Sequence, residues 1–234
     1  MYDSTMKLNR ITLAVTAAAL ALAALTGCSM AYGDSASNTP LVTQDVADSD
    51  KALDTLRWAD EIVLKKKVMS FNDQYEVVAD GVPVGEIRGQ YIYALGDTYS
   101  LFTEAGNLVA SEGEGYRVTT HKASLFDYNN QPAGEIRENF SFLLTNWSLY
   151  DGEAKEIGKA EQNFGLTLDF AVKNAKGETE YKIKKSMFSF GSEMKITRVT
   201  NEPTVPVMNA VWLAAIANEI DEAQQAKDDA KRNN

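Results

Sequence analysis

Few side chains in this sequence have the type and spacing that catalysis requires. His121 is the only histidine. A lone histidine can act as a general base, but His121 stands between Thr120 and Lys122 in a segment with turn character, and we interpret it as a solvated turn residue. The only cysteine is Cys28, so a cysteine–histidine dyad and a histidine-rich zinc site are not expected. No metal or cofactor is predicted.

Acidic residues occur in pairs, of which Glu112 with Glu114 and Asp228 with Asp229 are examples. Two carboxylates can act as a general acid and a general base, or they can bind calcium. Such pairs are common in an acidic chain, however, and the sequence contains neither the spacing of a calcium-binding loop nor a Gly-x-Ser-x-Gly motif. We expect a protein that is not an enzyme. The alternative is an enzyme that uses carboxylates at the rim of its fold.

Basic residues form two clusters, Lys65-Lys66-Lys67 and Lys182 with Lys184-Lys185. On a strand, Lys65 and Lys67 would share one face while Lys66 takes the other. Such lysines could bind an anionic headgroup, but the simpler interpretation is that they keep the outer surface of a sheet soluble. The whole chain has 23 basic and 33 acidic residues. This balance argues against nucleic acid as a partner, because nucleic acid requires a basic surface.

The start of the chain has the organisation of a bacterial lipoprotein signal peptide at residues 1–27. Lys7 and Arg10 precede a mostly apolar run that ends at Leu25, and the run is shorter than the roughly 20 residues of a spanning helix. The tetrapeptide Leu25-Thr26-Gly27-Cys28 then resembles the lipobox of bacterial lipoproteins. That resemblance implies cleavage before Cys28 and attachment of lipid to its thiol. The alternative is that Cys28 ends an uncleaved anchor helix.

Acyl chains on Cys28 would anchor the protein to a membrane of the bacterial cell envelope, since two or more chains hold firmly. The next residue is Ser29, which by resemblance to the sorting rules of two-membrane bacteria favours the outer membrane, with the protein facing the periplasm. Residues 28–50 are rich in Ser, Ala, Asn, Thr and Asp, and they predict a flexible tether. Ser49 or Asp50 could cap a short helical segment at 51–60.

From residue 61 to residue 198, short apolar and aromatic runs alternate with turn residues. A turn comes about every twelve residues, which is typical of an antiparallel meander. One series of turns is Asp80-Gly81, Gly106-Asn107, Asn129-Asn130, Asp151-Gly152 and Lys176-Gly177. A second series falls between them, at Asn72-Asp73, Gly96-Asp97, Thr120-His121, Thr145-Asn146, Gly165 and Gly191-Ser192.

The segments between the turns repeat, and Gly85-Glu86-Ile87-Arg88 recurs as Gly134-Glu135-Ile136-Arg137. A single hairpin could not bury its apolar face, so several must curl around a shared core. The stretch from Val205 to Ala217 is almost wholly apolar, and a helix that is apolar all round must be enclosed. We therefore predict a mainly β protein, a closed or nearly closed antiparallel barrel around a central hydrophobic helix at about 206–222. A polar tail follows at 223–234.

These features together resemble the LURP-one-related family, whose fold is the tubby C-terminal-like barrel. The resemblance covers about residues 61–222. It rests on the repeated strand-turn units, on Ser186-Met187-Phe188-Ser189-Phe190-Gly191, and on the apolar ending from Val211 to Asp221. It implies a barrel of about twelve strands around a central helix. Relatives in the tubby group bind phosphoinositides, but no motif in this sequence places such a site on particular residues. We expect a non-enzymatic binding or scaffold barrel whose ligand is a lipid or a protein partner of the envelope.

Overall fold

The computed structural model describes residues 44–67, 74–92, 96–116, 120–139, 145–163, 168–186 and 192–232. The predicted signal peptide at 1–27, the predicted attachment residue Cys28 and the predicted tether up to residue 43 lie outside the described residues.

Twelve antiparallel strands within the described ranges form one closed sheet. Each strand pairs with its neighbours along the chain, and the first strand closes the ring by pairing with the last. The strands are β1 (Glu61–Lys66), β2 (Gln74–Ala79), β3 (Val82–Ile92), β4 (Gly96–Thr103), β5 (Leu108–Tyr116), β6 (His121–Asp127), β7 (Pro132–Asn139), β8 (Asn146–Asp151), β9 (Glu156–Gln162), β10 (Asp169–Asn174), β11 (Thr179–Ser186) and β12 (Glu193–Arg198). The predicted closed antiparallel barrel is confirmed.

A long helix, α2 (Val207–Arg232), packs inside this barrel. Val207 and all residues from Asn209 to Asn218 are buried, because the strands enclose the apolar segment on every side. Trp212 lies within it and has no exposed surface. The predicted central helix is therefore confirmed. None of the helices in the described ranges has the length and apolar character needed to cross a membrane.

The predicted end of α2 at residue 222 was wrong, because the helix continues to Arg232. No glycine or proline interrupts residues 223–232, and side chains one turn apart support one another. The Gln224 side chain donates to Asp228 at 3.2 Å, and Lys231 pairs with the same carboxylate at 3.6 Å. The segment expected to be a polar tail is thus a polar helix, exposed over most of its length.

The helical lead-in also begins earlier than predicted, since α1 spans Val46–Trp58. Asp45 is its N-cap, with a carboxylate that accepts from the N–H groups of Ala47 and Asp48 at 3.1 and 3.4 Å. Ser49 is not the cap, because its buried hydroxyl donates to the Leu108 carbonyl at 2.7 Å. The predicted tether therefore extends too far, because residues 44–50 are already fastened to the barrel.

The barrel has two unlike ends. At the α1 end, which comprises α1 and the turns that join β2 to β3, β4 to β5, β6 to β7, β8 to β9 and β10 to β11, the helix α1 packs on β3, β4 and β5. The first series of predicted turns lies here, as expected. At the opposite, helix-exit end, α2 leaves the barrel after Asn218, the last residue of its buried stretch.

Part of the second series of predicted turns was wrong. Gly96, His121 and Asn146 begin strands, in which they pair with Ile92, Tyr116 and Asn139 of the preceding strands. Turn-forming residues can occupy such positions because ladder pairing overrides local propensity. The predicted turns at Asn72-Asp73, Gly165 and Gly191 lie outside the described residues.

The repeated Gly-Glu-Ile-Arg segments occupy equivalent places in β3 and β7. A Cβ atom on Gly85 would lie 1.9 Å from the carbonyl oxygen of Phe102, and one on Gly134 would lie 2.6 Å from that of Tyr150. Both positions therefore require glycine, because the backbone of the next strand passes too close for a side chain.

Candidate functional site

A cleft of about 590 Å³ opens at the α1 end, between α1 and the segment that leads into α2. The lining residues are Asp50, Leu53, Asp54 and Arg57 from one face of α1, Tyr181 from β11, and residues 203–208. We call this the α1 cleft. Its volume falls in the range of roughly 300–1,000 Å³ that is typical of small-molecule sites.

The wall of the α1 cleft at residues 203–208 is positioned by Glu180, which is buried. The carboxylate accepts from the N–H groups of Val205 and Thr204 at 2.7 and 2.9 Å, and from Asn174 Nδ2 at 2.8 Å. Burial alone would raise the pKa of Glu180, but the hydrogen bonds from Val205, Thr204 and Asn174 outweigh it and hold the pKa below its ordinary value. An ionised carboxylate therefore fixes this wall.

Two further polar groups that line the α1 cleft form hydrogen bonds within the protein. The Tyr181 hydroxyl donates to the Val205 carbonyl at 3.1 Å, and burial together with the Glu180 charge raises the pKa of Tyr181, so this donor stays protonated. Asp50 accepts from the Tyr128 hydroxyl at 2.9 Å. These groups are thus engaged within the protein.

Arg57 and Asp54 are different, because neither forms an ion pair or a side-chain hydrogen bond with a described residue. The guanidinium carbon of Arg57 lies 5.2 Å from the ring centre of Trp58, which is a cation–π contact. Asp54 lies one turn earlier on the same face of α1. The cleft therefore presents one cation, Arg57, and two carboxylates, of which Asp50 is hydrogen-bonded and Asp54 is open.

Four large apolar side chains at the α1 end are exposed. They are Val46, Trp58, Val82 and Val199, with exposed fractions of 44%, 54%, 59% and 48%. Val46 and Trp58 begin and end α1, Val82 begins β3, and Val199 follows β12. Single exposed apolar residues are normal on a protein surface. Trp58 is the largest of the four, and its ring contacts Arg57 of the α1 cleft.

Charged side chains at the helix-exit end are paired instead. Lys66 of β1 lies between Glu219 and Glu222 of α2, with distances from Nζ to the carboxylate oxygens of 3.0 and 2.5 Å. Lys185 of β11 pairs with Asp221 at 2.8 Å. Two strand lysines thus hold three carboxylates of α2 where the helix leaves the barrel.

A buried hydrogen-bond network lies beneath these ion pairs. Asn218 Nδ2 donates to the hydroxyl of Tyr75 at 2.9 Å and to Glu222 at 3.0 Å, and Asn218 Oδ1 accepts from Ser192. The Tyr75 hydroxyl donates to Glu219. Burial, followed by the Glu219 charge, raises the pKa of Tyr75, so the phenol stays protonated. The rim carboxylates of α2 are therefore engaged by donors, which lends no support to the alternative of carboxylate catalysis.

Other residues singled out from the sequence do not form a joint site in the described part of the chain. His121 is the first residue of β6 and is half-buried, so its assignment to a turn was wrong; its N–H donates to Glu138 at 3.0 Å. Glu112 is buried inside the barrel, on β5, far from any rim. The side chain of Glu114 lies outside the described residues. Asp228 and Asp229 lie on α2, where they pair within the helix.

The lysine clusters follow the alternation that was predicted. The exposed members are Lys65, Lys67, Lys182 and Lys184, whereas Lys66 and Lys185 are half-buried beside α2. Most of these lysines therefore do face outward, as the simpler interpretation expected. The two inward members form ion pairs with α2.

The open charges of the α1 cleft were missed from the sequence. A signal was present, because Asp50, Leu53, Asp54 and Arg57 recur with helical spacing directly before Trp58. Among the described residues, no group of three or more histidine, cysteine, aspartate and glutamate side chains is arranged to hold a metal ion.

Comparisons with known proteins add little. No protein-family model matches the chain, and no curated protein matches it either. The fold is similar to the X-ray structure of a protein from Arabidopsis thaliana, with 12% identity and a TM-score of 0.44 over 73% of this chain and 98% of the other. A similarity of this degree carries no information about function.

Proposed function

We propose that this chain is a lipid-anchored protein of the bacterial cell envelope, attached through acylated Cys28 and facing the periplasm from the outer membrane. The lipobox-like residues 25–28 support the anchor, and Ser29 supports the outer membrane. The observation that carries the proposal is the short separation in sequence between Cys28 and the folded domain. Gln44 follows Cys28 by sixteen residues and is fastened to the barrel, where its side chain bonds the carbonyl and the N–H of Leu108 at 2.8 and 3.0 Å.

The tether predicted from the sequence suits this proposal. A Gly/Ser-like coil of sixteen residues would span roughly 20–24 Å on average, which is comparable with the width of a small domain.

The role we propose for the barrel is non-enzymatic binding. Its interior is occupied by α2 and by large buried side chains such as Trp147, Tyr75 and Phe170, so a ligand has to bind on the outside or at an end. The α1 cleft offers such a place. The ligand is a lipid or a protein partner of the envelope. Tubby relatives of the LURP-one-related family bind phosphoinositides, but a barrel that faces the periplasm would meet other lipids.

Labelling with an alkyne analogue of palmitate tests the anchor. Wild-type protein should incorporate the label and fractionate with the outer membrane, and Cys28→Ser should lose the label and keep its uncleaved signal peptide, which a larger mass would show. Ser29→Asp is the matched control for sorting, since it should keep the label but move to the inner membrane. Wild-type protein without the label, or a Cys28→Ser protein that keeps it, would refute lipid anchoring at Cys28.

A further inference from the structure

Three features of the α1 end point to one ligand. The α1 cleft opens there, the exposed indole of Trp58 lies beside Arg57 of the cleft, and Arg57 and Asp54 stand on one face of α1 without an ion pair to a described residue. We propose that the α1 cleft binds the headgroup of a zwitterionic phospholipid, with Arg57 on the phosphate and Asp54 on the ammonium. The ligand belongs to the membrane that holds acylated Cys28, so this inference rests on the proposed function.

Arg57 has the chemistry that a phosphodiester requires. A guanidinium presents several N–H donors in a fixed fork, which matches two phosphate oxygens. Arg57 stands three residues from Asp54, a spacing at which opposite charges on a helix usually pair, yet the two do not pair here. Its contact with Trp58 holds the guanidinium beside the indole instead, and the donors remain open to a ligand.

Asp54 supplies the complementary charge, and its surroundings decide the ligand class. Asp50, one turn earlier on α1, also lines the cleft, so the anionic half of the cleft suits a compact ammonium group. The whole chain has a formal net charge of −10, which disfavours an anionic headgroup or an anionic surface. A headgroup that carries both a phosphate and an ammonium satisfies both charges of the cleft and adds no net negative charge.

The apolar residues account for the rest of the lipid. Leu53 and Met208 line the cleft and can contact the glycerol region and the first acyl carbons. Trp58 is 54% exposed, and an indole at such a position suits the boundary between headgroups and hydrocarbon, where its apolar ring and its N–H are both accommodated.

The position of the chain end favours this face over the opposite one. Gln44 lies at the α1 end, bonded to Leu108 at the start of β5. Most of the strands have six to nine residues, which places the helix-exit end roughly 20–30 Å farther from that point, and the exposed part of α2 extends it by about 20 Å more. If the predicted tether leads from acylated Cys28 to Gln44, the α1 end is the end that it reaches first.

Tryptophan fluorescence can test this contact on the intact protein. The chain has three tryptophans, of which Trp147 and Trp212 are 1% and 0% exposed. Quenching by a lipid label therefore reports Trp58. Acylated protein reconstituted in phosphatidylcholine vesicles with brominated acyl chains should show quenched and blue-shifted emission. The change should be absent in Trp58→Phe, which assigns the signal.

Variants of the non-acylated mature chain, residues 29–234 secreted behind a signal peptide whose cleavage does not depend on Cys28, test the headgroup site without the anchor. In flotation with phosphatidylethanolamine–phosphatidylcholine vesicles, Arg57→Gln should reduce binding roughly tenfold, the size expected for one lost charge-assisted hydrogen bond. Asp54→Asn should reduce the preference for these vesicles over vesicles that contain phosphatidylglycerol. Lys227→Gln, an exposed change on the distal part of α2, is the matched control and should bind as wild type. All variants should melt within a few degrees of wild type.

Two failures are distinguishable. If acylated protein remains on the vesicles while Trp58 is unquenched, the α1 cleft is not a headgroup site, although the anchor stands. If the palmitate label is absent from Cys28, the proposed function fails instead.

Two other outcomes would identify a different ligand. Protection of Trp58 from acrylamide in native membranes but not in lipid vesicles would identify a protein partner and would overturn the lipid inference. Binding of soluble glycerophosphoethanolamine as tightly as vesicles would show that a free metabolite is the ligand, which also overturns it.

Discussion

The helix-exit end of the barrel and the α1 cleft use charge in opposite ways. At the helix-exit end, Lys66 and Lys185 neutralise carboxylates of α2, and Asn218 and Tyr75 complete a buried network. At the α1 end, Arg57 and Asp54 share a helix face and a cleft, yet neither is neutralised by a described residue. The first arrangement holds a helix in place, whereas the second leaves charge available to something else.

This difference separates structural polar groups from candidate binding groups. A half-buried ion pair that satisfies its partners contributes to the fold, and removal of one partner leaves a charge that costs free energy. An open charge at an exposed helix face contributes little to folding. Substitutions at the helix-exit end should therefore change stability, and substitutions in the α1 cleft should change binding.

Trp212→Asp should have the largest effect, because it acts on the element that both ends share. The variant removes a fully buried indole from the barrel core and buries a charge, at a cost of about 5 kcal/mol or more. That is comparable with a whole net stability of about 5–15 kcal/mol, so the domain should unfold, as circular dichroism would detect. Trp58→Asp at the α1 end is the control and should melt close to wild type. Cooperative melting of Trp212→Asp at the wild-type temperature would contradict an enclosed helix.

Lys66→Met tests the paired end directly. It leaves Glu219 and Glu222 without their shared cation, which should lower the free energy of unfolding by about 1–3 kcal/mol, less than for a fully buried pair because solvent still reaches the site. Urea denaturation measures the change. Lys195→Met provides the comparison, since its pair with Glu61 is nearly half exposed and should be worth about 0.5 kcal/mol or less. Equal losses of unfolding free energy in Lys66→Met and Lys195→Met would show that the ion pairs of the helix-exit end are worth no more than an exposed pair.

Glu180→Gln tests the one ionised group that supports the α1 cleft from within. Because the folded-state pKa of Glu180 is lowered, the stability it contributes is present above the ordinary carboxyl pKa of about 4.3 and is lost as pH falls through the lowered value. The variant should lose about 1–2 kcal/mol near pH 7, and its deficit should narrow below about pH 4. Glu104→Gln, on the exposed β4–β5 turn, should leave the pH profile unchanged. If Glu180→Gln lowers the free energy of unfolding by the same amount at every pH, a stabilising role for the ionised Glu180 carboxylate is excluded.

Truncation of α2 after Glu222 should have the smallest effect. Comparison with a truncation after Asn218 should show which part of the helix contributes to stability through its ion pairs. Removal of residues after Glu222 deletes mostly exposed helix and should change the free energy of unfolding by less than about 0.5 kcal/mol. Removal of residues after Asn218 also deletes the partners of Lys66 and Lys185, and it should destabilise the protein much as Lys66→Met does. Thermal melting compares the two, and similar losses would show that the distal helix has a structural role.

The sequence predicted the architecture well because the relevant signals are local. Turn residues with a regular spacing indicate hairpins, and an apolar segment such as Val205–Ala217 has to be enclosed whatever surrounds it. The bounds of the two helices were predicted less accurately. The start of α1 was predicted too late because Asp45 was not recognised as its cap, and the end of α2 too early because polarity was taken as a sign of fraying.

The candidate site was predicted far less well. The sequence indicated Cys28 as an attachment residue, which stays a prediction because it lies outside the described residues. Arg57 and Asp54 were passed over, since nothing local marks a charge as open. Whether a charge is paired depends on which distant side chains come near it.

By itself, then, the amino-acid sequence determined the class of fold, the enclosed helix and the alternation of the lysine clusters, because periodicity specifies which face of an element is buried. Only the tertiary structure decided that Lys66 meets Glu219, a residue 153 positions away, and that α1 and residues 203–208 form one cleft. The physical reason is closure of the sheet. Strand register and ring closure set the distances between remote side chains, and no local pattern encodes those distances.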